Sequence, residues 1–348
     1  MKDNAGYINV EEALNIENAV FIDVRSPQEF AEDHLPGAIN IPLLDNEERK
    51  QVGEIYHREG QLAARRVGLD IVSPKLPRLV SQILRAAHDK EHLVVYCWRG
   101  GLRSKAVADV LQLVGCPVRR LAGGYKAYRR YVHSFFSREL PHQLVVLHGL
   151  TGSGKTEVIK ALQKMGAPAI DLEGLANNRG SVFGKVGREG QPTQKTFESL
   201  LFADLWKFRR EKFLIVEGES KRIGKLFIPD SFFKAMQEGK KILLYTSLRR
   251  RVERIVEEYT AGDNGNVEEL VKAVSWLKER LGKAVVEKLQ GMIRQKRFAE
   301  VAEYLLINYY DPLYRYPDQP SREFDLSVEG ENANRAARKI LSFLEELG

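Results

Sequence analysis

A chain of 348 residues with 43% hydrophobic content can bury a substantial core and is long enough for two domains. Its two cysteines, Cys97 and Cys116, exclude a disulfide framework and a cysteine-rich zinc site, and no apolar run of about 18 residues is available to span a membrane as a helix. The start, MKDNAGYINVEEALN, carries acids and lacks an apolar signal core, so the expectation is a soluble, cytoplasmic protein; a net charge of +7 leaves a polyanionic partner open without requiring one.

From Val20 the chain reads VFIDVR, a β-branched and aromatic run suited to a buried strand, and SPQEFAEDHLPGAINIP follows as helix and loop. Between Pro42 and Lys90 lies a long, mostly helical segment whose charges read first as a solvated face. HLVVYC is a second strand ending at Cys97. WRGGLRS comes next, then KAVADVLQLVG, which has apolar positions at helical spacing and Gly115 to end it. Strand, glycine loop and helix thus place the cysteine at the hinge. Backbone N–H groups around Gly100 and Gly101, turned inward above a helix N-terminus, favour negative charge, and Arg99 and Arg103 add to it. Cys97 is therefore expected to be more thiolate-like than a free cysteine, and the thiolate is the nucleophile. The other reading, a structural cysteine at a strand end, is disfavoured by the flanking glycines and Arg103.

DVRSPQEFAEDHLPGAINIP, YCWRGGLRS and LAGGYKAY, in that order, resemble a rhodanese domain over roughly residues 5–135. The resemblance implies that Cys97 carries a persulfide or related adduct, and that Asp23 and Arg25 belong to the scaffold around the active loop. Five residues separate Cys97 from Arg103, one more than in a typical sulfur-transferring loop. Related phosphatases share the longer loop, so a phosphatase reading stays open, although Tyr96 stands where they usually have histidine. A roomier cradle also suits selenium or selenophosphate.

In the second half, QLVVLH from Gln143 to His148 reads as a strand leading into GLTGSGKT and a helix, the context a G-x-x-x-x-G-K-S/T phosphate loop requires. Loop N–H groups from Gly149, Gly152, Ser153 and Gly154 would surround a phosphate, Lys155 would neutralise it, and Thr156 could reach Mg²⁺. KFLIVEGES places Glu217 and Glu219 just past an apolar run, where they either order Mg²⁺ or a water or pair with Lys221 or Arg222. The spacing says phosphate, not which phosphate compound. Arg249, Arg250, Arg251 and Arg254 open a later helix and read equally as phosphate or RNA contacts and as solvated charge. YYDPLYRYP, from Tyr309 to Pro317, reads as sealing the core rather than stacking a base or an isoprenoid.

A rhodanese module followed by a P-loop module is similar, across nearly the full chain, to the tRNA 2-selenouridine synthase family; DLEGLANNRGSVFG and VEGESKRIG also look like family blocks, with Asn178 and Gly218 as departures from it. The resemblance implies a transferase that replaces sulfur by selenium at carbon 2 of wobble 2-thiouridine in tRNA, with selenophosphate as donor and S-geranyl-2-thiouridine, made from geranyl diphosphate, as intermediate. It implies substrates rather than a tightly bound cofactor, Mg²⁺ as a compatible ion, tRNA as partner, a selenophosphate-supplying enzyme as a compatible one, and no membrane. An ATP-dependent tRNA sulfurtransferase, a long-loop phosphatase and a non-catalytic tRNA-binding protein are the competing readings. The expected architecture is α/β: a rhodanese-like domain over 5–135, then a doubly wound P-loop domain over 141–348 with a helical C-terminal part.

Overall fold

The computed structural model describes residues 6–178, 190–260 and 267–347, so the latter part of DLEGLANNRGSVFG lies outside the described residues. The chain divides into two compact units, Met1–Phe135 with Glu198–Leu200, and Phe136–Phe197 with Leu201–Gly348.

The first unit holds strands β1 (Tyr7–Ile8), β2 (Ala19–Asp23), β3 (Ile39–Asn40), β4 (His92–Tyr96) and β5 (Arg119–Leu121). Its helices are α1 (Val10–Leu14), α2 (Pro27–Glu32), α3 (Asn46–Glu59), α4 (Gln61–Val72), α5 (Leu76–Ala86), α6 (Leu102–Leu113) and α7 (Gly124–Phe136). The strands form one parallel sheet in the order β1-β5-β4-β2-β3. A parallel sheet covered on both faces needs strands apolar on both, and β4 accordingly buries four consecutive residues, Leu93 to Tyr96. Val95, Ile22 and Val24 meet Ile83 of α5 and Leu111 of α6 in one core. The helical segment read between the two blocks becomes α3, α4 and α5, and Gly115 stands two residues beyond the end of α6, as read from the sequence.

Asp23 ends β2, and its carboxylate accepts from the Arg25 backbone N–H at 2.9 Å, from Nε at 2.9 and 3.0 Å and from Nη2 at 2.6 Å. Nη2 also donates to the Asp33 carbonyl at 2.7 Å, and the guanidinium lies 4.0 Å from the Tyr125 ring centre. Both side chains are fully buried. Burial works against the charge on Arg25, but the hydrogen bonds and charge of Asp23 outweigh it and push the guanidinium above its ordinary value. This is the scaffold role that the rhodanese resemblance implies for the pair. Asp23→Asn leaves the arginine buried without its counter-charge and is expected to cost about 3–5 kcal/mol, read by denaturant unfolding of the full chain.

The second unit contains strands β6 (Gln143–His148), β7 (Ala169–Ile170), β8 (Phe213–Glu217), β9 (Arg222–Ile223), β10 (Leu226–Phe227), β11 (Lys240–Tyr245) and β12 (Leu326–Glu329). Around them lie α8 (Lys155–Lys164), α9 (Leu172–Leu175), α10 (Gln194–Lys207), α11 (Asp230–Glu238), α12 (Leu248–Thr260), α13 (Val267–Ser275), α14 (Lys278–Leu281), α15 (Lys283–Arg294), α16 (Phe298–Leu305), α17 (Asp311–Tyr314) and α18 (Ala333–Leu347). A parallel sheet runs β12-β11-β6-β8-β7, and β9 and β10 make a small antiparallel hairpin. The chain leaves β6 toward β7 and β8 on one side, then returns to β11 and β12 on the other. The loop after β6 therefore opens where the strand order reverses, the place where open α/β sheets bind ligands. A second apolar core, with Leu270, Val274, Leu289 and Leu305, organises the helical part from α12 to α16. Among the described residues, no helix is long and apolar enough to cross a membrane.

Candidate active sites

In the first unit β4 delivers Cys97, 3% exposed, into the loop Trp98–Gly101. Helix α6 begins at Leu102 with Gly101 as its N-cap and no side chain capping it, so its first-turn N–H groups are left to the loop. The third block of the rhodanese pattern holds that loop in place. At the start of α7, Tyr125 N donates to the Cys97 carbonyl and Lys126 N to the Trp98 carbonyl, both at 2.9 Å. Only glycine fits at position 124: its φ is +58°, and a Cβ would stand 2.2 Å from the Cys97 oxygen and 2.5 Å from the Gly100 nitrogen. Gly100 and Gly101 lie in the loop as read from the sequence, and Arg99 is exposed. Arg103 departs from the expectation that it adds free positive charge to the loop. Its Nη1 and Nη2 donate to Glu29 at 2.6 and 3.1 Å, and although burial works against it, Arg103 holds the Glu29 carboxyl below its ordinary range.

In the second unit, the residues from Gly149 to Thr156 follow β6 and turn into α8, whose N-cap, Gly154, has φ +95° and no side-chain capping bond. A Cβ there would stand 2.7 Å from Cζ of Arg254, so the loop closes only over glycine. Lys155 Nζ donates across the loop to the Gly149 carbonyl at 3.0 Å and the Leu150 carbonyl at 3.5 Å. Ser153 N donates to the Leu150 carbonyl at 3.1 Å, while its hydroxyl is buried with no hydrogen-bond partner among the described residues. Gly152 lies against the Arg251 carbonyl.

Thr156 Oγ1 donates to Glu173 at 3.2 Å and lies 3.4 Å from Glu217, whose other oxygen accepts from the Glu173 backbone N–H at 2.8 Å. The alternative partners read for the strand-end acids are engaged elsewhere: Lys221 pairs with Asp230, and Arg222 bonds the Gly224 carbonyl. Burial, followed by the charges of Glu173 and Asp171, pushes the Glu217 carboxyl well above its ordinary value. Burial and Glu173 push Glu219 up to about 8 despite Lys155. Crowded carboxyls beside a hydroxyl form a hard-oxygen donor set that fits Mg²⁺. No group of three or more His, Cys, Asp or Glu side chains forms a full ligand set among the described residues. Protein would therefore supply one or two ligands, with water and phosphate oxygens completing the shell, as Mg²⁺ prefers.

The arginine run divides. Arg249 and Arg250 pair with Glu253 along the helix face. Arg251 and Arg254 are buried, and neither sequence reading described them. Arg251 donates to the Thr151 carbonyl at 2.8 Å and forks onto Asp311; Arg254 donates to the Ser153 carbonyl at 2.9 Å, the Gly330 carbonyl at 2.6 Å and Glu157 at 3.0 Å. They fasten the phosphate loop from behind. The aromatic segment divides as well. Tyr310 seals the helical core, whereas Tyr314 is exposed and Tyr316 donates to or accepts from His148 at 3.1 Å.

His148, which the sequence reading took only as a strand end, closes β6 beside the phosphate loop. Its Nε2 is buried without a hydrogen-bond partner among the described residues. A Cβ at Gly218 would lie 2.6 Å from its Nδ1, which accounts for the small residue there. Burial, then Lys155 and Lys241, pull the imidazole down from 6.5 to about 4. The unfolded chain takes up this proton near 6.5 and the folded one only near 4, so the contribution is complete above 6.5 and is lost as pH falls toward 4. At pH 4 the loss is on the order of 3 kcal/mol. His148→Gln is expected to flatten the fall in melting temperature between pH 6.5 and 4; an unchanged slope counts against a neutral His148.

A parallel α/β unit carrying a cysteine in a glycine loop, and a doubly wound unit carrying a Lys–Thr phosphate loop, define a rhodanese-like module joined to a P-loop module. Residues 9–131 match the rhodanese-like domain, and residues 142–341 match the family described as the tRNA 2-selenouridine synthase AAA domain. Curated tRNA 2-selenouridine synthases from Shewanella loihica (36% identical; 85% of this chain, 86% of theirs), Pseudomonas syringae pv. syringae (35%; 87% and 90%) and Cupriavidus necator (36%; 92% and 94%) align over most of both chains. The chain belongs to the tRNA 2-selenouridine synthase family, a group of tRNA-modifying transferases.

Proposed function

We propose that the protein replaces sulfur by selenium at carbon 2 of wobble 2-thiouridine in tRNA, in two steps divided between its two loops. The observation that carries this reading is the pairing, in one chain of this family, of a buried cysteine over an uncapped helix with a phosphate loop backed by carboxylates. A thiocarbonyl sulfur leaves poorly until it is alkylated, whereas diphosphate leaves well. In the first step the sulfur attacks the geranyl carbon, diphosphate departs with the bonding electrons and N3 of the base releases its proton to water, giving S-geranyl-2-thiouridine. The open N–H groups of the Gly149–Thr156 loop and Lys155 bind the diphosphate and stabilise the charge that develops on it. Thr156 and Glu217 would hold Mg²⁺, which supplies further neutralisation of that charge. In the second step selenium adds at carbon 2, geranylthiol leaves, and water takes the phosphoryl group of selenophosphate as phosphate. The Cys97 loop serves this step, with Arg99 as the exposed cation.

The Arg103 fork pairs with Glu29, and Tyr96 stands where related phosphatases usually have histidine, which weakens the phosphatase reading. Nucleoside mass spectrometry of 2-thiouridine tRNA incubated with the protein, geranyl diphosphate and selenophosphate tests it. Formation of 2-selenouridine supports the proposal. An unchanged nucleoside with both donors present overturns it in favour of an ATP-dependent or phosphatase reaction.

A further inference from the structure

Ser104 lies in the first turn of α6, is fully buried, and has no part in the two-step scheme so far. Its hydroxyl has one proton and two acceptors within reach: the Gly101 carbonyl at 3.2 Å and the Cys97 sulfur at 3.3 Å. The carbonyl does not depend on that proton, because the Lys105 backbone N–H already donates to it at 3.0 Å as the first helical bond of α6. Swinging the hydroxyl from carbonyl to sulfur therefore leaves no orphan oxygen behind. A buried thiolate is costly without donors, and with Cys97 and Ser104 both buried, the Ser104 hydroxyl adds a side-chain donor to the backbone N–H groups of the loop.

We propose that Ser104 is a positioning residue for Cys97: its hydroxyl is a two-position rotor that donates to the sulfur when the sulfur is an anion and returns to the Gly101 carbonyl when it is neutral. This rests on Cys97 acting as a thiolate, as in the reading above. The sulfur loses its charge when it is protonated, and becomes a poor acceptor. It regains the charge when the proton leaves. The same hydroxyl thus favours formation of the thiolate, and the carbonyl accepts its proton while the sulfur is neutral.

The test is direct titration of the thiol in full-length protein labelled with carbon-13 at the cysteine β-carbons, followed by NMR, with no tRNA or donor present. Cys116 packs against the same core as Cys97 and reports on the fold of the unit. Ser104→Ala is expected to raise the Cys97 titration midpoint by about one to two pH units, the size of one lost hydrogen bond to a charged group, without moving the Cys116 signal. Ser104→Thr, which keeps the hydroxyl, is expected to titrate with the wild type. A Ser104→Ala midpoint within about 0.3 units of wild type, or equal shifts in the alanine and threonine variants, overturns the proposal. Neither outcome depends on whether tRNA is the substrate, so failure here is separable from failure of the selenouridine assignment.

Discussion

Lys155→Ala is expected to lower geranyl transfer to 2-thiouridine tRNA by a factor of about 10² to 10³, the cost of removing one preorganised donor from a developing anion. The cation stands across the Gly149–Thr156 loop, its ammonium on the Gly149 and Leu150 carbonyls, with no carboxylate bonded to it among the described residues. Its charge is thus available to an anion at the loop. Because those two carbonyl bonds are the only side-chain hydrogen bonds it makes among the described residues, the melting temperature is expected to move by no more than about 2 °C. Single-turnover assays with geranyl diphosphate, read as S-geranyl-2-thiouridine, check the rate. A variant that geranylates at the wild-type rate would show that the loop does not hold the departing diphosphate. If the variant loses ATP turnover instead, the loop is a nucleotide site.

Cys97→Ser is expected to leave that first step untouched and to stop the second, so that S-geranyl-2-thiouridine accumulates when both donors are supplied. The size of the loss distinguishes two roles. A fall of about 10⁴ or more in selenium incorporation is the scale of losing a covalent nucleophile and marks Cys97 as a covalent participant in that step. A fall of about tenfold leaves the anion cradle intact and assigns Cys97 to positioning selenophosphate. Serine keeps the size of the side chain in a site that is 3% exposed, so unfolding does not confuse the result. Loss of geranylation in this variant would contradict the division of labour between the two loops.

Both loops share one physical device. Each ends at a helix whose N-terminus has a glycine cap and no side-chain acceptor, so several N–H groups point at whatever occupies the loop. Each is also fixed from outside its own segment. The start of α7 braces the Cys97 loop, and Arg251 and Arg254 of α12 brace the phosphate loop. Rigid loops are what anion stabilisation requires, since donors that must reorganise during the reaction stabilise less.

The amino-acid sequence by itself determined the central strands β2, β4, β6 and β8, both loops and the helices that follow the loops. These depend on local patterns: apolar β-branched runs such as VFID and LVVL, glycines where the chain must turn, and helical spacing afterwards. Only the tertiary structure decided which charges serve which loop. Arg103 looked free in WRGGLRS, but it meets Glu29, 74 residues away, because the ends of β2 and β4 lie side by side. Glu173 was passed over in DLEGLANN, yet joins Thr156 and Glu217 where the ends of β6 and β8 meet. The sequence left Arg251 and Arg254 equally as phosphate or RNA contacts and as solvated charge, because their acceptors, loop carbonyls some hundred residues upstream, carry no side-chain signature. A buried charge chooses its partner by proximity in three dimensions, and strand order, not spacing along the chain, sets that proximity.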